Sequence, residues 1–472
     1  MKFKVPGFEK AAVFLIFLFY ASTNSFWAYR LFHESNIFPA LASLIPVFLL
    51  LCHYRKTRLE MHIGLLLTVF SIYFVIVLWS SFSFKMILFY GMCVTLMLNT
   101  GIAEKPEYLK YFYYLALIFA VGSFINLFLP GVYRSVILPA FSGSSQYLKL
   151  KRWSRSFRII PGFANQTSFN APHFVYGIGF ILCANFTWRK KQKLNWLILA
   201  VLFLCLILTN KRGQFVFLLV SLVAVYYISG AGVNKSRRVL ILIAAGILVY
   251  LFMLYLLPKL NIGVFFKLNT MLEQLENNED ITHGRLDLYR LAIEYFLKNP
   301  IIGIGWEGFR KLPGLQGGQT HNIYLELLCE TGIIGFSFFS VFFIYAFVTA
   351  MKNCSSARSE SDRFLSRFCL FMQLFFLLYG ISGNPLYDPP YYIPYFIACT
   401  YSFSQRILFR KARALSLQAS GESPILIVTA AETAPGASGN LSLNKGYKDG
   451  HEERNQSEAH KGYHRNLLNP SP

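Results

Sequence analysis

Residues 331–350 read TGIIGFSFFSVFFIYAFVTA, an apolar run without one charged side chain. A helix rises about 1.5 Å per residue, so a bilayer core about 30 Å thick takes roughly 20 such residues. Comparable runs recur near 11–32, 37–53, 62–80, 84–99, 111–129, 172–188, 194–209, 214–230, 238–258, 365–382 and 388–404. Together these make about twelve candidate spans. Composition agrees, because only 14% of the 472 residues are charged, against about a quarter in a soluble domain. In hydrocarbon the backbone must satisfy its own polar groups, and a helix does so within one segment. The expected fold class is all-α: a polytopic transmembrane helical bundle with a large, partly helical outer loop.

Lysine and arginine orient these spans. Lys2, Lys4 and Lys10, then Arg55, Lys56 and Arg58, Lys105 and Lys110, and Arg189, Lys190, Lys191 and Lys193 fall on one side. Lys235, Arg237 and Arg238, then Lys352, Arg358, Arg363 and Arg367, and Arg406, Arg410 and Lys411 join them. The short loops opposite offer little beyond Arg30, Lys85, Lys211 and Arg212. Positive charge stays inside, so both termini are expected in the cytoplasm. The net charge of +22 therefore reads as topology, and a nucleic-acid partner is not expected. Long loops near 130–171 and 259–330 then lie outside, where long ordered loops tend to carry function.

The eight cysteines show no C-x-x-C spacing and mostly fall in apolar runs, which argues against disulfides or a zinc site. The basic N-terminus followed by apolar residues to Phe32 reads as an uncleaved first span. From Ala414 the composition turns to Ser, Gly, Asn, Lys and Glu, so residues 414–472 are expected to form a disordered cytoplasmic tail after a membrane domain over 1–413.

The spans are nearly free of ionisable residues, which a coupled transporter would need at mid-membrane. Polar chemistry gathers instead at the outer ends of spans. In ITHGRLDLYRLAIEYFLKNP, residues 281–300, apolar positions recur at helical spacing from Thr282 or His283 until Pro300 stops them. Arg285 lies in the first turn, where a cation opposes the helix dipole. It either faces solvent or is held there to meet an anion. In THNIYLELLCE, residues 320–330, Thr320 can cap a helix, and Asn322, Glu326 and Glu330 form one polar stripe with His321 at its edge. That histidine is either structural or an acid–base group. Arg212, beside Lys211, either snorkels at the interface or meets an anionic ligand there. Lys149, Lys151, Arg152, Arg155 and Arg158, interleaved with aromatics, could hold headgroups, a diphosphate or an acidic glycan. Asn165, Gln166 and Asn170 could meet sugar hydroxyls.

An arginine after a span, then GR opening a helix that ends in NPIIGIGWEGF, then THNIYLELLCETGIIGF: this order resembles the O-antigen ligase and O-antigen polymerase superfamily, most specifically over about 205–340. The resemblance implies a bacterial inner-membrane enzyme acting at the periplasmic or extracellular face. Such an enzyme moves a glycan from undecaprenyl diphosphate to a hydroxyl of lipid A-core, or of another lipid-linked glycan. It implies catalytic roles for His321, Arg285 and Arg212. Residue chemistry agrees: guanidinium forks suit diphosphate oxygens, and a histidine can take the acceptor's proton. Asn322, Glu326, Lys211, Arg152 and Arg155 are the expected substrate contacts. Neither a cofactor nor a metal is expected. Ligase is the preferred reading and polymerase the alternative, with a polysaccharide transporter or flippase behind both.

Overall fold

The computed structural model describes residues 17–32 (apart from 19 and 23), 106–156, 159–187, 193–229, 284–315 and 318–419, with 240 and 244 as isolated positions. Its helices are α1 (Phe26–Phe32), α2 (Lys110–Phe128), α3 (Tyr147–Ser156), α4 (Thr167–Thr187), α5 (Lys193–Leu208), α6 (Arg212–Ser229), α7 (Arg285–Lys298), α8 (Ile323–Ser356), α9 (Glu360–Tyr379) and α10 (Pro389–Ala419). No strand occurs among the described residues; Ser25 and Ala164 share one isolated bridge. The all-α expectation holds for this part of the chain. Three described helical segments, Pro106–Phe128, Arg212–Ser229 and Ile323–Ser356, are long and apolar enough to cross a membrane, and Lys193–Leu208 is a shorter apolar helix. The spans expected at 37–53, 62–80, 84–99 and, apart from 240 and 244, 238–258 lie outside the described residues, as does the tail beyond Ala419.

α4 and α9 form the centre. α2, α5 and α6 pack on α4, while α6 and α8 pack on α9. Small residues permit this close approach, as is usual between helices in hydrocarbon: Gly177 of α4 abuts Ala116 of α2, and Gly179 faces the Phe371 ring of α9. Along α9, Phe364, Phe368, Phe371, Phe375 and Tyr379 recur at three- and four-residue spacing, so their rings stack one upon the next. The ladder ends where Tyr379 stacks on Tyr391 of α10, with centroids 4.6 Å apart. Buried amides cross-link the helices: Gln373 donates to Ser402 Oγ (3.0 Å) and Asn353 to the Ser402 carbonyl (2.7 Å).

Two features add to the sequence reading. The stretch 130–171, expected as a long outer loop, is largely helical where it is described. It runs through helical turns at Pro130–Val132, Tyr133–Ile137 and Leu138–Phe141 into α3. α3 buries Leu150 and Ser154 and exposes Lys149, Lys151 and Arg152, so the basic stretch is amphipathic. The second is at the quoted run. The helix starts at Ile323, eight positions earlier than 331, and Gly332 breaks it, with φ 62° and ψ −171°. The apolar run begins at that break.

One end of the bundle collects the chain reversals. Gly213, at the start of α6, faces Ser382 in the α9–α10 loop. The Ile323 N–H donates to the Gly380 carbonyl (2.8 Å), joining the start of α8 to the end of α9. Gln214 donates to Tyr391 Oη and to the Ser168 carbonyl, joining the starts of α6, α10 and α4. The candidate residues lie at this end.

Candidate active site

The helix break at Gly332 organises the site. It leaves the Cys329 and Glu330 carbonyls and the Ile333 and Ile334 N–H groups without their usual helical partners, and such groups must be satisfied elsewhere. The loop after α7 supplies what is missing. Ile304 N donates to Cys329 O (3.1 Å) and Gly305 N to Glu330 O (2.9 Å), while Pro300 O accepts from Ile333 N (2.8 Å) and Ile301 O from Ile334 N (3.4 Å). The motif NPIIGIGWEGF is thus stitched into the motif ETGIIGF.

The Glu330 side chain continues the stitch. Its buried carboxylate accepts from the backbone N–H groups of Glu307 (2.9 Å) and Phe309 (3.1 Å), and from the Tyr387 hydroxyl. Glu307 sits at φ 55°, a left-handed conformation that non-glycine residues rarely adopt. Glu330 secures that turn and delivers the next residues, Gly308, Phe309 and Arg310, to the site.

Glu326 lies one turn earlier and is fully buried. It accepts from the Thr320 N–H (3.0 Å), the Thr320 hydroxyl (2.8 Å) and the Asn384 amide. Its other oxygen stands 3.8 Å from Arg310 Nε. Arg310 also lies over the Tyr387 ring (4.9 Å) and 3.7 Å from the Glu307 carboxylate. The Gln319 amide oxygen, in the orientation that satisfies both groups, accepts from Arg310 Nη1 (3.3 Å). Burial works against the Arg310 cation, but Asp388, Glu326, Tyr387 and Glu307 outweigh it and hold its pKa above the ordinary value. Burial pushes the Asp388 carboxyl up to about 7; Arg310 opposes that rise and Glu326 adds to it.

These contacts fix residues 319–322. Thr320, expected as the helix cap, serves Glu326 instead, and Asn322 is the cap. Its side-chain oxygen accepts from Tyr324 N (3.0 Å) and Leu325 N (3.2 Å). The two candidates differ by two positions, and the backbone decides between them: His321 adopts φ 56°, which starts the helix after it. Histidine tolerates this region better than most side chains, but it persists only where neighbours hold it.

His321 is exposed just ahead of α8. Lost hydration acts first on its imidazole; the charges of Arg285, Lys211 and Arg310 follow in that order, and its pKa falls to about 4. The charges of Arg285 and Lys211 thus act on His321 from the starts of α7 and α6, and Arg212 follows Lys211 as the first residue of α6. Arg285 opens α7 after Gly284, at φ 76°, and is half-buried. Of the expected substrate contacts, Glu326 is committed to Thr320 and Asn384, and the Asn322 oxygen to the cap. Arg152 is exposed on α3, which packs on the turns at 133–141, and the Arg155 side chain lies outside the described residues. Asn165 donates to Tyr29 Oη (2.8 Å) and Asn170 to Ser123 Oγ (3.3 Å), so both tie elements together.

Residues 197–340 match the family model for O-antigen ligase. This match, over a little under a third of the chain, supports a likeness to the O-antigen ligase superfamily. The resemblance carried by the arginine, GR and THN motifs is thereby shown. No curated protein matches the chain. With the long apolar helices, the match supports an integral membrane enzyme of the O-antigen ligase or polymerase type, a family that works with lipid-linked glycans. The match contains Lys211, Arg212, Arg285, Arg310, His321 and both buried glutamates. Asn384, Tyr387 and Asp388 lie beyond it, in the loop between α9 and α10. The O-antigen ligase domain is therefore completed at its acidic side by a loop outside the matched segment. Sequence reading passed over those three and Arg310, although SGNPLYDPP at 382–390 is dense in turn-forming polar residues.

Asn322 yields a direct test of cap against substrate contact. Asn322→Ala should cost about 0.5–2 kcal/mol of stability, whereas Asn322→Asp should keep the cap. Thermal unfolding of both variants checks this. A normally stable Asp variant with a raised KM would instead assign Asn322 to substrate.

Proposed function

We propose that this protein is an O-antigen ligase-like glycosyltransferase, moving a glycan from undecaprenyl diphosphate to an acceptor hydroxyl at the outer face of the bacterial inner membrane. The observation that carries this reading is the setting of His321. Its imidazole is kept neutral by lost hydration and by the charges of Arg285, Lys211 and Arg310, and Arg212 follows Lys211 in the chain. Such a place suits an anion beside a base. The acceptor oxygen attacks the anomeric carbon, the bond from that carbon to the diphosphate oxygen breaks, and the electron pair leaves with undecaprenyl diphosphate. The acceptor proton passes to His321.

Arg285 and Arg212, with Lys211, stabilise the diphosphate as its charge develops. Preorganised cations in a partly dehydrated site do this without reorganising at the transition state. The same diphosphate changes the base. A pKa near 4 makes His321 a weak acceptor in the free enzyme. A bound dianion offsets the neighbouring cations and draws the imidazole back toward its ordinary range, where general-base catalysis is most effective. Donor binding thus activates the base.

Arg285→Ala should lower transfer by about 10²–10³-fold, the usual cost of one electrostatic stabiliser. Arg285→Lys should recover part of the loss, because charge returns without the bidentate fork. The reading is tested with protein in nanodiscs, undecaprenyl-diphosphate-linked glycan and a hydroxyl acceptor, following release of the carrier diphosphate. No release in any condition sinks the proposal. In cells, loss of a ligase leaves long polymer on the carrier and none on the acceptor. Single carrier-linked repeat units would assign the protein to the polymerase reading.

A further inference from the structure

α7 shows three faces rather than two. One packs on α8 and the loop after α7, through Ala292 and its neighbours against Phe309 and Cys329. A second is exposed and charged, with Arg290 facing Asp287 (3.5 Å) and Lys298 facing Glu294 (2.7 Å). Between this charged face and the half-buried Tyr289 and Phe296 runs a third face that is exposed and apolar. Leu286, Ile293 and Leu297 recur there at seven- and four-residue spacing and are 50%, 45% and 69% exposed. That spacing puts them within a narrow stripe of the helix surface.

Just beyond the helix comes the exposed Ile301, whose carbonyl accepts from the N–H of the exposed Ile334. Below Ile334, the exposed Val341 continues the line two turns down the span Ile323–Ser356. An apolar surface on a membrane-crossing helix faces lipid. The stripe on α7 is the upper end of that surface.

We infer that α7 lies in the outer membrane interface, with Leu286, Ile293 and Leu297 immersed in the hydrocarbon of the outer leaflet and the 287/290/294/298 edge in water. An amphipathic helix in this position sinks its apolar stripe below the headgroups and leaves its charged edge above. Continuity with the span selects bilayer hydrocarbon as the occupant, over a partner protein. The inference needs the spans and not the glycan-transfer reading. If both hold, Arg285, adjacent to Leu286, sits at the depth of lipid phosphates. A carrier diphosphate anchored in the same leaflet would reach it without leaving the membrane.

The test places a nitroxide at Leu286→Cys, Ile293→Cys, Leu297→Cys and, as the water-facing reference, Arg290→Cys, in the full chain in nanodiscs. The unsubstituted protein, labelled identically, subtracts the native cysteines. Collision with apolar oxygen is compared with collision with a water-soluble nickel chelate. The ratio of oxygen to nickel collisions should be several-fold higher at 286, 293 and 297 than at 290. Strong nickel collision at 293 and 297 would place the stripe in water and overturn the inference. Weak collision with both agents would show protein covering it, which also overturns the inference. Four exposed positions guard against any one substitution failing to fold.

Discussion

His321→Asn should abolish most transfer while leaving the protein folded, a loss of about 10²–10⁴-fold, which is the range for a general base. Asparagine is the informative replacement because it tolerates the left-handed backbone that His321 occupies, at φ 56°. Alanine there would mix lost chemistry with strain. The pH dependence carries a sharper expectation. The base must be neutral, and the free-enzyme pKa is lowered to about 4 by lost hydration and by Arg285, Lys211 and Arg310. The acid limb of kcat/KM, which reports the free enzyme, should therefore lie near pH 4, well below the ordinary histidine value of about 6.5. The limb of kcat, which reports the donor complex, should lie higher, because a bound diphosphate favours the imidazolium. Lys211→Gln should shift the kcat/KM limb upward by removing one cation. Full activity in His321→Asn would end the assignment of His321 as base. Identical limbs in both profiles would end the argument that the donor activates it.

How much of this was legible in the chain differs by element, for physical reasons. Spans were legible because a bilayer requires long uncharged runs, and 111–129, 194–209 and 214–230 correspond closely to α2, α5 and α6. His321, Arg285 and Lys211 stand out in the sequence because each breaks a local rule: a cation at a helix start, a cation against the charge asymmetry, a histidine at the edge of a span. Arg310, Asn384, Tyr387 and Asp388 break no local rule. Their importance comes from tertiary contacts across more than fifty residues, from 326 and 330 to 384–388. The helix α3 inside the stretch 130–171 was not singled out because basic residues dominate YLKLKRWSRS, although Leu150 and Ser154, one turn apart, mark its buried face. The glutamates were legible as one polar stripe, and only Glu326 of the two was expected at the substrate. In the structure Glu330 secures Glu307 and Phe309, and Glu326 secures Thr320.

Gly332→Ala should disable the enzyme without touching any group that meets substrate. The backbone at 332, φ 62° and ψ −171°, lies in a region that essentially only glycine occupies. Imposing it on alanine costs of order 1–3 kcal/mol. A Cβ there would also meet the carbonyl of Ile301, which is backbone and cannot swing aside. Relief requires parting 300–305 from 329–334, and four interlocking hydrogen bonds join those segments. Each is worth about 0.5–1.5 kcal/mol net, and more where its partners stay buried and unsatisfied. The loss would then travel: without the stitch, Glu330 no longer meets Glu307 and Phe309, Arg310 leaves Glu326, and the turn holding His321 loosens. A lower unfolding temperature should accompany loss of transfer at every pH, unlike the pH-specific changes from Lys211→Gln. Gly131→Ala is the control, since nothing lies within 4 Å of its Cβ position; it should stay within about 0.5 kcal/mol of the parent. A Gly332→Ala protein with parental melting and transfer would show that the break in α8 does not hold the site together.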